Sequence, residues 1–344
     1  MNWRLIEEDV VEEAAIKPGM SLKHNKYIKN WSPDYGNVLI LAGGAGSGKG
    51  FAYDMAIDFD GKKFDVDQLK SQLMKFPIGT KYDKMFFDDY GKHLSECDLA
   101  NKDDVFNLHQ FCDDMNIASN LQSAFFRSVK ELSMSKDELN NPEHQKEIRP
   151  NVVFDCTLKS TAKLVKIATS CIDAGYDPRC IHIVWILNSH EVAKNQNAAR
   201  PRRVPGEVLD DTHEGVSKTF RKLFDKSIEI TDNEDLNKIV DGDIWIFFNQ
   251  SNVDNFVKVG DKKSPYFKGG KKHDVGIQMD EINVVKVKSA GKPMPSYEEI
   301  MNKKVKEYDK DGNMISNDKI TVADKIGEYV PTNTRTIWNK IDGD

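Results

Sequence analysis

The sequence predicts an α/β fold: a mostly parallel sheet flanked by helices, with a helical insertion and a mixed C-terminal extension. Three observations predict it. Short apolar runs recur at 37–41, 152–154, 181–187 and 244–248, as strands buried on both faces read. Segments of helical period separate them, which is the pattern of strand–helix–strand units. The first run empties into a glycine-rich loop that opens a helix, so the sheet is of the P-loop NTPase type.

Each element has its own signal. Residues 1–32 read as an N-terminal arm, closed in part by the breakers Pro18 and Gly19. The strand at 37–41 ends in glycine, and a helix is expected over 49–57. A second strand is expected over 63–67, ending in Asp65-Val66-Asp67. Residues 68–150 are polar and helix-leaning, and read as an insertion or lid. Within it, one helix is expected over 104–129, from Val105, Leu108, Phe111, Cys112 and Met115 at helical spacing. The strand at 152–155 leads to a helix over 160–174, whose apolar face is Leu164, Ile167, Ala168, Cys171 and Ile172 and whose end is marked by Gly175. The apolar strand at 181–187 follows, then a loop from Asn195 to Pro205 and a helix over 207–224. Late strands are expected at 228–230 and 244–248, which closes a core of 33–250. The extension, 251–344, holds a basic loop at 258–273, an alternating strand at 281–288, a helix over 296–308 and a hairpin turn at 309–313.

Composition narrows the function classes. Hydrophobic residues make up 39% of the 344 and charged residues 30%, enough for a sizeable core. No run reaches the roughly 18 apolar residues of a membrane span. The N-terminal stretch carries glutamates where a signal peptide is apolar, so a cytoplasmic location is expected. The net charge of −6 does not favour nonspecific DNA binding by the whole chain. The five cysteines form no CxxC pair and read as reduced thiols.

The strongest chemical signal is Gly43-Gly44-Ala45-Gly46-Ser47-Gly48-Lys49-Gly50. Glycines let backbone N–H groups converge on phosphate oxygens. The helix N-terminus adds partial positive charge, and Lys49 a mobile point charge for the β- and γ-phosphates. A nucleoside triphosphate, ATP or GTP, is the expected ligand. The motif departs at Gly50, where the magnesium-binding Ser or Thr normally stands. Mg²⁺ then depends on water, Ser47 or a carboxylate elsewhere.

Further candidates lie at strand ends, where ligands bind in open α/β sheets. Asp65 and Asp67 can accept a proton from a hydroxyl or hold a metal. Asp155 stands like a Walker-B carboxylate and is the candidate magnesium ligand, with Thr157 facing substrate. Arg200, Arg202 and Arg203, in a loop stiffened by Pro201 and Pro205, suit charge on a transferring phosphoryl group. His190 and His213 flank that loop; as lone histidines they read first as structural.

In this order, the glycine loop, the Asp-x-Asp strand end, the strand ending in acid-x-Thr and the Arg-x-Val-Pro loop resemble the zeta-toxin-like P-loop kinases. The plan is shared by phage-encoded kinases that phosphorylate 5-hydroxymethyluracil in DNA, and glycine after the P-loop lysine looks more like that group. The resemblance covers roughly 37–250. It implies that Asp67, with Asp65 as the fallback, deprotonates an acceptor hydroxyl. It implies that Asp155 and Thr157 face substrate and that Arg202 or Arg203 clamps phosphate. Lys194 and Arg200 are the candidates for the family's earlier arginine. The implied acceptor is a hydroxyl of a nucleotide-sugar or of a modified DNA base. The insertion and the tail do not match the toxins. A DNA acceptor would be tracked by the lysines of 258–273, with Tyr266 and Phe267 among them for stacking. The other reading is a nucleotide-binding module without phosphotransfer, a structural or switch component of a larger assembly. A motor ATPase fits less well, since Phe154-Asp155-Cys156 offers one acid at the strand end where such proteins usually present two.

Overall fold

The computed structural model describes residues 31, 34–99, 101–132, 149–199, 204–227, 238–250, 256–258, 275–277, 281–305, 307–308, 314–316 and 320–339. Its centre is a six-stranded sheet of β1 (Val38–Ala42), β2 (Lys62–Asp65), β3 (Val152–Asp155), β4 (Ile181–Asn188), β5 (Ile244–Gln250) and β8 (Glu281–Lys288). The spatial order is β2-β3-β1-β4-β5-β8. The first five strands run parallel and β8 joins β5 antiparallel. The expected P-loop NTPase-type α/β architecture is what the chain adopts. The short pairs β6 (Phe256–Lys258) with β7 (Val275–Ile277) and β9 (Glu307–Tyr308) with β10 (Met314–Ser316) stand apart from it.

The apolar runs are strands because both sheet faces are covered. Alternate residues of β1 point to opposite cores. Val38, Ile40 and Ala42 face a layer containing Leu164, Ile167, Phe220 and Phe224, while Leu39 and Leu41 face Ala52 and Ile57. The helix after the glycine loop, α1 (Lys49–Ala56), thus covers one face. The other is covered by the helices that carry Leu164 and Phe220, and by the end of the insertion. Opposite sides for these crossovers follow from right-handed connections, since the first runs towards β2 and the third towards β4.

The insertion forms α2 (Val66–Leu73), α3 (Lys81–Tyr90), α4 (Lys102–Asp114) and α5 (Ile117–Leu132). It has a core of its own, with Leu73, Phe86, Leu94, Leu108, Phe111 and Cys112 buried together. Two expectations change here. The second strand stops at Asp65, because its ladder ends where β3 ends, at the Asp65–Asp155 pair. The chain enters α2 at once, so Asp67 sits in a first helical turn and not on a strand. The single helix expected over 104–129 is two, broken at Asn116, which adopts a left-handed φ of 51°.

After β3 come α6 (Thr161–Asp173), capped by the Ser160 hydroxyl, α7 (His190–Ala199) and α8 (Gly206–Phe224). The chain from Asn195 to Ala199 was expected as loop and is helical, because Val192 and Ala193 give α7 a buried face. Past β8, α9 (Tyr297–Met301) replaces the helix expected over 296–308. The Ser296–Glu299 capping box starts it, and a bridge from Lys304 to Thr321 then draws the chain off. β9 and β10 pair antiparallel on either side of the turn expected at 309–313, which itself lies outside the described residues. α10 (Val322–Tyr329) packs against α11 (Arg335–Asn339), and α11 packs back on α8, with Trp338 stacked on Trp185 and bonded to Ser217. The expected strand at 228–230, the N-terminal arm but for Trp31, and the basic loop beyond Lys258 lie outside the described residues. No helix among the described residues is long and apolar enough to cross a membrane.

Candidate nucleotide-binding site

The glycine loop lies at the C-terminal edge of the sheet, between β1 and α1. Gly46 and Gly48 take left-handed φ values of 75° and 88°, which β-carbon-bearing residues adopt only under strain. The close quarters of the loop also demand glycine. A Cβ on Gly44 would stand 2.3 Å from the His213 ring, and one on Gly48 would stand 2.5 Å from the Asn249 amide nitrogen. Gly50 differs, since a Cβ there meets nothing within 4 Å. α1 begins without a capping side chain, so its first N–H groups have no partner from the cap. The arrangement is a phosphate cradle.

The loop is held from behind, and the holding residues mostly escaped the sequence reading. Asn188 and Asn249 are register partners at the ends of β4 and β5, both fully buried. The Asn188 amide donates to the Gly46 carbonyl at 3.1 Å and the Asn249 amide to the Ser47 carbonyl at 2.9 Å. From α8, the Thr212 hydroxyl accepts the Ala45 N–H at 3.0 Å, and His213 Nε2 donates to the Ala45 carbonyl at 2.8 Å. Lys49 Nζ donates to the carbonyls of Gly43 and Gly44 at 2.8 and 3.3 Å. Carbonyls that would repel phosphate are thereby occupied. His213 is neutral: burial pushes its pKa down to about 4, against the pull of the Ala45 carbonyl. One signal for the asparagines was present, a polar residue closing each of two apolar strands at the ligand edge.

Beside the loop, β3 pairs with β1 so that Asp155 is the partner of Leu41. Asp65 partners Asp155 on the far side. Lys63, two residues before Asp65 on the same face of β2, reaches both carboxylates: 2.9 Å to Asp155 and 3.6 Å to Asp65. Sequence reasoning missed Lys63. After Asp155 the Cys156 N–H extends the ladder to the Leu41 carbonyl, Thr157 is half-buried, and Leu158 turns the chain away at φ 50°. The backbone of Asp67 lies in α2, and its side chain lies outside the described structure.

Arg200, Arg202 and Arg203 lie outside the described residues as well, but Asn197 and Val204 on either side do not. The Asn197 amide donates to the Val204 carbonyl at 2.7 Å and accepts the Val204 N–H at 2.8 Å, tying α7 to the start of the chain that enters α8. Nearby, Asp210 takes contacts from His190 at 2.7 Å and Lys194 at 3.4 Å. Lys194 is thus engaged on α8 and half exposed, not aimed into the glycine loop.

The glycine cradle fits a nucleotide triphosphate. The fit to magnesium, which the resemblance implies, is poor. Gly50 has no hydroxyl. Ser47 Oγ is buried without a hydrogen-bond partner, but it packs under the loop, 2.5 Å from where a Cβ on Gly43 would sit. Asp155 already holds an ammonium. No group of three or more His, Cys, Asp or Glu converges among the described residues. These side chains do not make a protein-held magnesium site.

No protein-family model and no curated protein matches the chain. Solved structures do. One is from the PezAT chromosomal toxin–antitoxin system of Streptococcus pneumoniae, at 14% identity and a TM-score of 0.34, covering 66% of this chain and 70% of that one. Another is the AvrRxo1-ORF1:ORF2 complex with ATP, at 16% identity and a TM-score of 0.36, covering 62% of this chain and 55% of that one. The same complex with sulphate ions gives 11% and 0.34 over 62% of this chain. The chain thus spans about half the length of the AvrRxo1 chains.

Proposed function

We propose that the protein is a P-loop kinase that moves the γ-phosphoryl group of ATP or GTP to a hydroxyl of a nucleotide-sugar or of a modified DNA base such as 5-hydroxymethyluracil. The observation that carries the reading is the glycine cradle, whose carbonyls are held by Asn188, Asn249, His213 and Lys49. A site with its carbonyls occupied and its helix N-terminus open favours a polyphosphate.

The acids at and just past the strand ends extend the reading to transfer, Asp65 and Asp155 beside the cradle and Asp67 in the first turn of α2. The acceptor hydroxyl gives its proton to Asp67 as its oxygen bonds to the γ-phosphorus, and the bond from that phosphorus to the β–γ bridging oxygen breaks, releasing the diphosphate. Lys49 and Arg202 or Arg203 stabilise charge spread over the phosphoryl oxygens, and Asp65, Asp155, Thr157 and Arg200 contact the acceptor side. Magnesium enters with the nucleotide. A DNA acceptor would lie along 258–273. The proposed setting is the cytoplasm, that of a host cell if the gene is carried by phage.

The bare Gly50 favours a second reading, a nucleotide-binding module without transfer. One assay separates the two. The protein is incubated with γ-labelled ATP or GTP, Mg²⁺ and either UDP-N-acetylglucosamine or DNA containing 5-hydroxymethyluracil, beside a Lys49→Ala control. Label is expected on one acceptor and lost by roughly 10²–10³-fold in the variant. Nucleotide binding without label on any acceptor would favour the module.

A further inference from the structure

The strand-end carboxylates carry an internal cation. Asp65 and Asp155 are direct neighbours on parallel strands, so their charges face each other at the sheet edge. Lys63 comes up from the same strand as Asp65 and puts its Nζ 2.9 Å from Asp155 Oδ2 and 3.6 Å from Asp65 Oδ2. All three side chains are partly buried, with 29%, 25% and 13% exposure for Lys63, Asp65 and Asp155. The Tyr53 ring of α1 lies 5.7 Å from the ammonium, and its hydroxyl is fixed on the Phe59 carbonyl. The ammonium is thus packed in place between protein groups.

We infer that Lys63 is the resident cation of this edge: its ammonium occupies the position from which a divalent metal would bridge Asp65 and Asp155, so that Asp155 is a positioned acid and not a magnesium ligand. Two adjacent carboxylates need a counter-charge, and the same strand supplies it. The ammonium stays charged: burial lowers its pKa, and Asp155 with Asp65 more than restores it. A metal would have to displace an ion pair already formed. This agrees with the two other departures from a metal-holding loop, the missing hydroxyl at Gly50 and the inward Ser47. Lys63 is a positioning residue, since it acts through the carboxylates it holds. The inference deepens the kinase reading by saying how the acid beside the cradle is used, but it concerns the nucleotide-free protein and is tested there.

The test is Mn²⁺ binding followed by isothermal titration and by the electron paramagnetic resonance of free Mn²⁺. Nucleotide-free wild-type protein, Asp155→Asn, Lys63→Met and the double variant are compared. Wild type and Asp155→Asn are expected to give the same weak titration. Lys63→Met is expected to gain one site at least about tenfold tighter, and adding Asp155→Asn is expected to remove it. The inference is overturned if wild type binds Mn²⁺ and Asp155→Asn abolishes that binding. It is also overturned if folded Lys63→Met gains no site. Should Lys63→Met not fold, the wild-type and Asp155→Asn pair still decides, because that substitution keeps the side chain's shape. No nucleotide is present, so either result is independent of whether phosphoryl transfer occurs.

Discussion

At the scale of single residues, the glycines of the loop are not equivalent. Gly44 abuts the His213 ring, and Gly50 faces open space. Gly44→Ala forces a methyl into a ring that is itself tied to Ala45, so it is expected to cost about 1–3 kcal/mol in a denaturant melt and to weaken nucleotide binding. Gly50→Ser puts a hydroxyl at the usual magnesium position in the first turn of α1, with no clash. Its melt is expected to move by no more than about 0.5 kcal/mol towards stability, from helix propensity, and its Mg²⁺ requirement for transfer is expected to fall. A Gly50→Ser protein less stable than wild type by more than about 1 kcal/mol would contradict the open space seen there. The same scale explains what the sequence hid. The glycine motif is contiguous and legible as chemistry. Asn188, Asn249 and Lys63 acquire meaning only when strands far apart in sequence become neighbours, so a lone Asn after an apolar run carries too little to name a role.

At the scale of elements, the sheet holds a histidine that ties β4 to its neighbours. His182 is buried, with Nε2 on Asn37 Oδ1 at 3.1 Å and Nδ1 accepting the Asp243 N–H at 2.9 Å. A proton on Nδ1 would face that donor, and burial first of all pushes the His182 pKa down to about 4. His213 is pushed down alike. In both, the folded state resists a proton that the unfolded chain takes up near pH 6.5, so stability is full above that value and falls as pH drops towards 4. The loss is up to about 1.4 kcal/mol per pH unit for each histidine. Urea midpoints at pH 7 and pH 5 check it: a clear drop is expected, smaller in His182→Gln, and equal midpoints would contradict the buried neutral rings. Element boundaries were legible where burial on two faces made the signal redundant, as in β1, β3 and β4, and where alternation marked an edge strand, as in β8. They failed where partners decide. β2 stops because β3 stops, and α7 declares itself by only two buried residues ahead of a conspicuous arginine and proline run.

At the scale of the whole molecule, β8 and the last helix of the C-terminal extension pack into the body of the sheet. β8 completes it, and Trp338 stacks on Trp185 at 5.7 Å while donating to Ser217 of α8 at 2.7 Å. Arg221, on the next turn of that helix, lies 3.9 Å over the Tyr297 ring. The same helix reaches the phosphate loop through Thr212 and His213. Trp338→Ala is therefore expected to cost about 3–5 kcal/mol and to weaken nucleotide binding at a distance, read by thermal melting and nucleotide titration. A stable variant with unchanged nucleotide affinity would sever that link. The fold class was legible because alternation of apolar runs and helices is a property of the whole chain. The tail was not, because its few apolar residues reveal nothing of the helix they cover. Transfer and binding alike require residues 43–50 to be a triphosphate cradle, and equilibrium binding of ATP to wild type and Lys49→Ala tests that most directly. Saturable binding by wild type, weakened about tenfold or more in the variant with the melt unchanged, is the expected result. No binding by wild type, or equal binding by both, would contradict it.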